Sequence, residues 1–495
     1  MGDFLHVHNA QAFDAAACPA VAFESFRRQV TAAVAGGARL SALAAWPQGQ
    51  GPVRLLAVLA GLEAERLSLL SCTVQHSYAA LTGDCPAAHW FEREIAEQTG
   101  LEPLGHPWLK PIRFQRRPDG SAPAAGVTDF FRMEGAEVHE VAVGPVHAGV
   151  IEPGHFRFQC HGETVHHLEI SLGYQHRGVE RALIGGPDRR TRHYAETLAG
   201  DTTIGHAMAW CRASESLSGT RPPPRAQAIR GVAAELERLA NHIGDLGALA
   251  GDVGFLPTQS YCGRIRGDVL NMTADLCGNR FGRGLLTVGG VAFDIEPERA
   301  ANLLGRLEAV ARDARGAIEL MFRTASVLAR FEGVGAVSQQ TARQIGLVGV
   351  AARACGLDID ARLDLPYGIY RFAHIPICTW SGGDCFARAY VRWLEVQHSL
   401  AFVREQLRSL PSGALCDAER PLRAGQMAIA VTEGWRGEIV HMVATDADGR
   451  FNLYKVIDPS MHNWFGLTCA MRGQQISDFP LCNKSFNLSY CGHDL

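Results

Sequence analysis

The chain contains fourteen cysteines, yet nowhere do two stand in a CxxC spacing. The nearest pairs are Cys378 with Cys385 and Cys482 with Cys491. Zinc and iron–sulfur sites normally use at least one close thiolate pair, so a cluster carried by this chain is not expected. The bland reading is a set of reduced, mostly buried thiols. No run approaches the roughly 18 uninterrupted apolar residues of a membrane-spanning helix. The opening MGDFLHVHNAQAFD has neither a basic nor an apolar leader region, so a cytoplasmic chain is expected. A positive charge excess is also missing: the formal net charge is −4, which gives a nucleic-acid partner no support. HExxH, the P-loop lysine pattern and a GxGxxG after a strand are all absent, so nucleotide binding has no motif behind it.

What is present is an ordinary globular composition over 495 residues, 47% hydrophobic and 20% charged, enough for two to four domains with a large core. Phe23 to Ala35 is a candidate helix. Val53 to Leu59 and Leu67 to Val74 are apolar runs of strand length. His89 to Thr99 looks helical, with Gly100 as its stop. Arg116 to Val127 is dense in Pro, Gly, Ala and charge and reads as a linker. Beyond it, His139 to Gly144, His155 to Cys160 and Val165 to Ile170 alternate like short antiparallel strands. From Ala226 to Leu249, Ile229, Val232, Leu236, Leu239, Ile243 and Leu246 make one apolar stripe at helical spacing. Glu438 to Val443 and Phe451 to Val456 flank Asp446-Ala447-Asp448-Gly449, a hairpin signal. The expected fold is α+β: a small α/β domain (1–115), a linker (116–137), and a large domain (138–495) of short antiparallel strands and a helical bundle.

Several segments resemble a known family. HWFEREIAEQTGLEPLGHPWLKPI (89–112) resembles the signature of the C subunit of respiratory complex I. GPVHAGVIEPGHFRF (144–158), LGYQHRGVERAL (172–183) and RPPPRAQAIRGVAAELERLANHIGDLG (221–247) resemble the D subunit and the large subunits of [NiFe] hydrogenases. GVGAVSQQTARQIGLVG (333–349), RGEIVH (436–441) and DPSMHNW (458–464) resemble later blocks in the same order. The likeness covers nearly the whole chain and implies a fused C/D-type protein, as in formate hydrogenlyase large subunits. It also implies partners: an iron–sulfur small subunit, and antiporter-like membrane subunits that would hold the chain on the inner face of the membrane.

The same resemblance exposes a deficit. The hydrogenase family binds its nickel–iron centre through two CxxC pairs, because soft thiolates hold those metals firmly. Matching on His206 places the first pair at Ala199 and Thr202. Matching SFNLSYCGHDL (485–495) places the second at Ser489 and Gly492, with Cys491 one residue out of register. A nickel–iron centre is therefore not expected, and no metal ligands are assigned. In complex I a His and a Tyr bracket the quinone head group. Here the Tyr position falls near Gly200 and the His position near Ile151 to Pro153, while His147 keeps the first His of that loop. A quinone would need a modified pocket.

Residues remain that could carry chemistry. Glu180 matches the glutamate with which hydrogenases pass protons. A carboxylate in a dry pocket can relay protons near neutral pH. The structural alternative is a salt bridge to Arg177 or Arg181. His176 belongs to the same block. His206 sits in the former metal loop beside Asp201, Thr202 and Thr203, a group that could bind a polar ligand; alternatively Asp201 caps the following helix. His161, His166 and His167 suggest a metal only weakly and are read as surface residues. Glu180, His176 and His206 are the catalytic candidates; His147, Asp201 and Thr202 are the candidate contacts to a cofactor or quinone. The expected function is a redox-coupling subunit, active only within its complex, that passes electrons from a partner's clusters to a quinone or another acceptor with proton movement. The competing reading is a non-catalytic joint between that partner and a membrane arm. An active hydrogenase is the least favoured.

Overall fold

A computed structural model describes residues 2–47, 51–116, 120–121, 123–147 and 151–495. Part of the expected linker therefore lies outside the described residues. The described portion of 105–137 contains no helix or strand.

Near the N-terminus, strands Leu5–His8, Arg66–Val74, Val53–Ala60 and Arg39–Pro47 lie side by side in that order. Ala20–Val21 joins Arg66–Val74 in parallel. Leu55, Leu56, Val58 and Leu59 are all buried, as are Leu67, Leu69 and Leu70. Adjacent positions on one strand point to opposite faces, so both faces of the sheet are covered, which is why these strands read as near-continuous apolar runs. Helix Phe23–Ala35 packs Phe26 and Val30 against Arg66–Val74. Helix His89–Thr99 packs against Arg39–Pro47 and stops at Gly100, whose φ of 76° suits a residue without a Cβ.

The rest combines two small antiparallel sheets with a bundle. Thr164–Ser171, His155–His161 and Val138–Val143 form one sheet. Phe451–Ile457, Glu438–Thr445 and Gln426–Glu433 form the other, extended at its edge by Phe13–Asp14 from the far N-terminus. Helix Thr203–Ser218 lies on this second sheet. The bundle is built from Pro224–Asp252, Leu256–Cys277, Pro297–Arg323 and Cys385–Arg408. The mixture of helices and short antiparallel strands is the expected α+β class.

The apolar stripe on Pro224–Asp252 is fully buried, as its spacing implied. A second stripe on the same helix, Glu235, Arg238, His242 and Asp245, is buried as well. It survives because each charge has a partner. Arg238 pairs with Glu235 and Glu395, His242 bonds Glu395 at 2.8 Å, Arg362 bonds Glu235, and Arg392 bonds Asp245. Buried charges are tolerated when paired and hydrogen-bonded, and costly otherwise.

Candidate functional site

The two loops that would carry nickel–iron ligands do converge. Arg177 joins them: its guanidinium donates to the Thr197 and Leu198 carbonyls on one side and to the Cys491 carbonyl on the other. The donor set does not fit a nickel–iron centre. Ala199 offers no donor. The Thr202 hydroxyl oxygen accepts from Trp435 Nε1 at 3.1 Å and from Arg436 at 3.3 Å. The Ser489 hydroxyl accepts from the Gly492 amide and so caps the last helix, Tyr490–Asp494. At Gly492 a Cβ would lie 2.6 Å from Asp458 Oδ2, so no cysteine side chain has room there. Among the described residues, no group of three His, Cys, Asp or Glu side chains is placed to hold a metal.

Asp201 does not cap the helix that follows it. It takes a bidentate pair from Arg436, at 2.6 and 2.8 Å, and its carbonyl accepts from Trp435 and Asn241. The capping role falls to Glu237, which accepts the Ile204 and Gly205 amides. Burial pushes the Glu237 carboxyl up to about 8 despite those two amides. Nor does His206 join Asp201 and Thr202. It turns inward, where Nε2 lies 3.0 Å from Asp458 Oδ2 and Nδ1 lies 3.1 Å from His441 Nε2. His441 Nδ1 is in turn 2.9 Å from the Tyr454 hydroxyl. All four side chains are buried.

Glu180 is neither free nor paired with Arg177 or Arg181. Its carboxylate accepts from Lys455 at 2.8 Å, from the Val456 amide at 3.0 Å and from Gln98 at 3.1 Å, with Arg113 3.9 Å away. Lys455 and Arg113 also bind Glu94, a member of the HWFERE segment. The helix that carries that segment secures the loops on both sides of it. Glu92 accepts the Leu81 and Thr82 amides, and Glu97 accepts those of Ile112, Arg113 and Gln115. Arg93 lies between the Trp90 and Trp108 rings, at 4.5 and 4.6 Å. His176 Nδ1 contacts the Asp494 carbonyl at 2.8 Å, so it holds the last helix in place. His161 and His166 are exposed on the hairpin.

His147 lines a different space. A cavity of about 450 Å³ is walled by Phe156, Phe158, Ile151, Phe479, Leu488 and Tyr490, with few polar groups: His147, Asp252, Lys484, Asn483 and Asn487. His147 Nε2 is buried and, among the described residues, has no hydrogen-bond partner. Burial pushes the Asp252 carboxyl up to about 6, against the opposing pull of Lys484. Glu152, from the segment expected to replace the quinone-bracketing His, instead accepts the Tyr490 and Cys491 amides at 3.3 Å. Asp252 and Tyr490 were not anticipated; the available signal was that Asp252 stands about two helical turns beyond Asp245, on the face of Glu235, Arg238 and His242.

With this geometry in view, the comparisons with known proteins place the chain. Residues 252–427 match the family described as the respiratory-chain NADH dehydrogenase 49 Kd subunit. The chain is 31% identical over 351 residues to the carbon monoxide-induced hydrogenase of Rhodospirillum rubrum, covering 70% of this chain and 97% of that one. It belongs to the family that unites complex I 49-kDa subunits with the large subunits of membrane-linked hydrogenases. Within that family it is of the fused C/D type. It is 28% identical over 436 residues to hydrogenase-4 component G of Escherichia coli K12, 83% of this chain and 75% of that one. It is 27% identical over 406 residues to the fused C/D polypeptide of the NADH-quinone oxidoreductase of Bacteroides thetaiotaomicron, 73% and 74% of the two chains.

Proposed function

We propose that this chain is the coupling subunit of a membrane-associated oxidoreductase complex, passing electrons from a partner's iron–sulfur cluster to a quinone-class acceptor with uptake of protons. The carrying observation is the 450 Å³ cavity, an apolar, aromatic-walled slot with a few polar groups, which suits a flat hydrophobic ring bearing two carbonyls. Reducing such a ring takes two electrons, supplied by the partner, and two protons. Asp252 is suited to deliver one of them, since a carboxyl near 6 is partly protonated at neutral pH. His147 lines the cavity, and its Nε2, without a partner among the described residues, would meet a carbonyl oxygen. Among the described residues no helix is long and apolar enough to cross a membrane, so attachment would come through antiporter-like partner subunits.

A second reading rests on Glu180. The residue matching a proton-relay glutamate is held in an ion quartet with Lys455, Arg113 and Glu94, which favours a joining role for that corner.

The test is purification from detergent-solubilised membranes followed by mass spectrometry and a quinone-analogue reduction assay. Co-purified iron–sulfur and antiporter-like subunits, with turnover that falls at least about tenfold in Asp252→Asn, support the coupling reading. An assembled complex with no acceptor-dependent turnover supports the joining reading. Recovery of the chain alone from the soluble fraction refutes both.

A further inference from the structure

Away from the cavity, four titratable side chains from three parts of the sequence make one unbranched line: Asp458, His206, His441 and Tyr454. The links are 3.0, 3.1 and 2.9 Å. His206 comes from helix Thr203–Ser218, and His441 and Tyr454 from adjacent strands of the sheet beneath it. Asp458 caps helix Pro459–Met471 by accepting the Ser460 amide. None of them is needed for the cavity chemistry proposed above.

With both rings neutral, the connectivity fixes the protons. Burial would raise the Asp458 carboxyl, but its bond to His206 and the nearby Arg436 charge hold it below the usual range, so it is a carboxylate and can only accept. His206 must then donate from Nε2. A neutral imidazole has one N–H, so His206 Nδ1 accepts, and His441 must donate to it from Nε2. His441 Nδ1 then accepts from the Tyr454 hydroxyl. Burial first, and then its neighbour His206, holds His441 far below its usual range, consistent with a neutral ring.

A single added proton has one arrangement that keeps all three contacts. His206 becomes doubly protonated between Asp458 and His441. His441 shifts its own N–H from Nε2 to Nδ1, and the Tyr454 hydroxyl turns to accept. We propose that Asp458, His206, His441 and Tyr454 form a buried one-proton store beside the closed ligand loops. The added charge rests on His206 against the Asp458 carboxylate. The other groups facing the line are Arg436 and His462 toward Asp458, and Cys211 toward Tyr454. Its purpose rests on the proton-coupled reading above; its existence is a property of this chain alone.

The test is a pH titration of the full chain labelled with 15N-histidine, read by NMR, since ring nitrogen shifts report the tautomer directly. At the alkaline end both His206 and His441 should carry hydrogen on Nε2. On acidification the two should change together at one midpoint, His206 gaining a proton and His441 moving its hydrogen to Nδ1. Asp458→Asn keeps the size and an acceptor oxygen but removes the charge, and should lower proton affinity at least tenfold. Tyr454→Phe should leave His441 on Nε2 throughout. The proposal is overturned if His441 carries Nδ1–H at the alkaline end, if the two rings titrate separately, or if neither changes before the chain unfolds. A complex with no acceptor-dependent turnover whose rings still switch together refutes the coupling reading and keeps the store. A complex with normal turnover whose rings do not switch does the reverse.

Discussion

Lys455→Met is the most informative single change. Lys455 is 4% exposed and donates to both Glu94 and Glu180, while Arg113 pairs with Glu94 and approaches Glu180 at 3.9 Å. The quartet is neutral, with two acids and two bases. Removing Lys455 leaves the buried Glu94 and the half-buried Glu180 sharing one guanidinium, and breaking a buried pair in this way costs about 3–5 kcal/mol. Neutralising the stranded acid as well should recover part of that, so Lys455→Met combined with Glu180→Gln should be less destabilised than the sum of the singles by about 1–3 kcal/mol. Urea titration of the purified chain, followed by tryptophan fluorescence, measures both quantities. The pH dependence gives a further check. Burial alone would raise the Glu94 carboxyl, but Arg113 and Lys455 hold it below its ordinary value. Its contribution is therefore present above the unfolded carboxyl value, roughly 4.3, and is lost as pH falls through the lower folded value. The Lys455→Met penalty should thus be greatest near neutrality and shrink in acid. A loss under about 1 kcal/mol at pH 7, or strictly additive doubles, would refute the claim that this quartet holds the N-terminal segment to the C-terminal sheet.

Gly492→Ala should destabilise by about 1–3 kcal/mol, because its methyl would meet the Asp458 carboxylate and the Ser489 hydroxyl; a thermal melt indistinguishable from wild type would show the loop is looser than described. Glu237→Gln should act increasingly as pH rises from the unfolded carboxyl value, roughly 4.3, to the folded value of about 8. With its folded carboxyl raised to about 8, Glu237 costs nothing below its unfolded value and progressively more as pH rises to about 8, so the variant should match wild type below the unfolded value and exceed it above pH 8. Equal stability at both ends of that range, by urea titration, would contradict the assignment. Installing cysteines at positions 199, 202, 489 and 492 should not yield nickel binding by elemental analysis of the purified chain, because the Gly492 position has no space for a side chain.

Local signals carried most of the elements. The Phe23–Ala35 helix, the Gly100 stop and the hairpin around Asp446–Gly449 all follow from residues close in sequence, and the structure keeps them within a residue or two. The Phe13–Asp14 strand was illegible because two residues carry no periodicity and its partner, Gln426–Glu433, lies at the other end of the chain. The burial of the charged stripe Glu235, Arg238, His242 and Asp245 had no local signal, since partners such as Glu395 and Arg362 come from elsewhere. The site divides in the same way. Loss of the thiolate ligands is visible in the sequence itself. The true partners of Glu180 and His206 are not, because Lys455, His441 and Asp458 are brought in by the sheet pairing. Asp252 was missed because the helix runs three residues beyond Leu249, where its expected span ended.

The Phe13–Asp14 edge strand also governs when the protein can finish assembling during synthesis. Just before it in the chain, Asn9 is buried, with its side chain bonded to the Val431 backbone 422 positions away. At ribosomal speeds of about 5–20 residues per second, that partner emerges roughly 20–80 s after Asn9. Through that interval Leu5–His8 can already pair with Arg66–Val74, but Asn9 and Phe13–Asp14 lack their partners. A nascent chain stalled before residue 426 would therefore present an open strand edge to chaperones, and the sheet would close it only once Gln426–Glu433 had emerged.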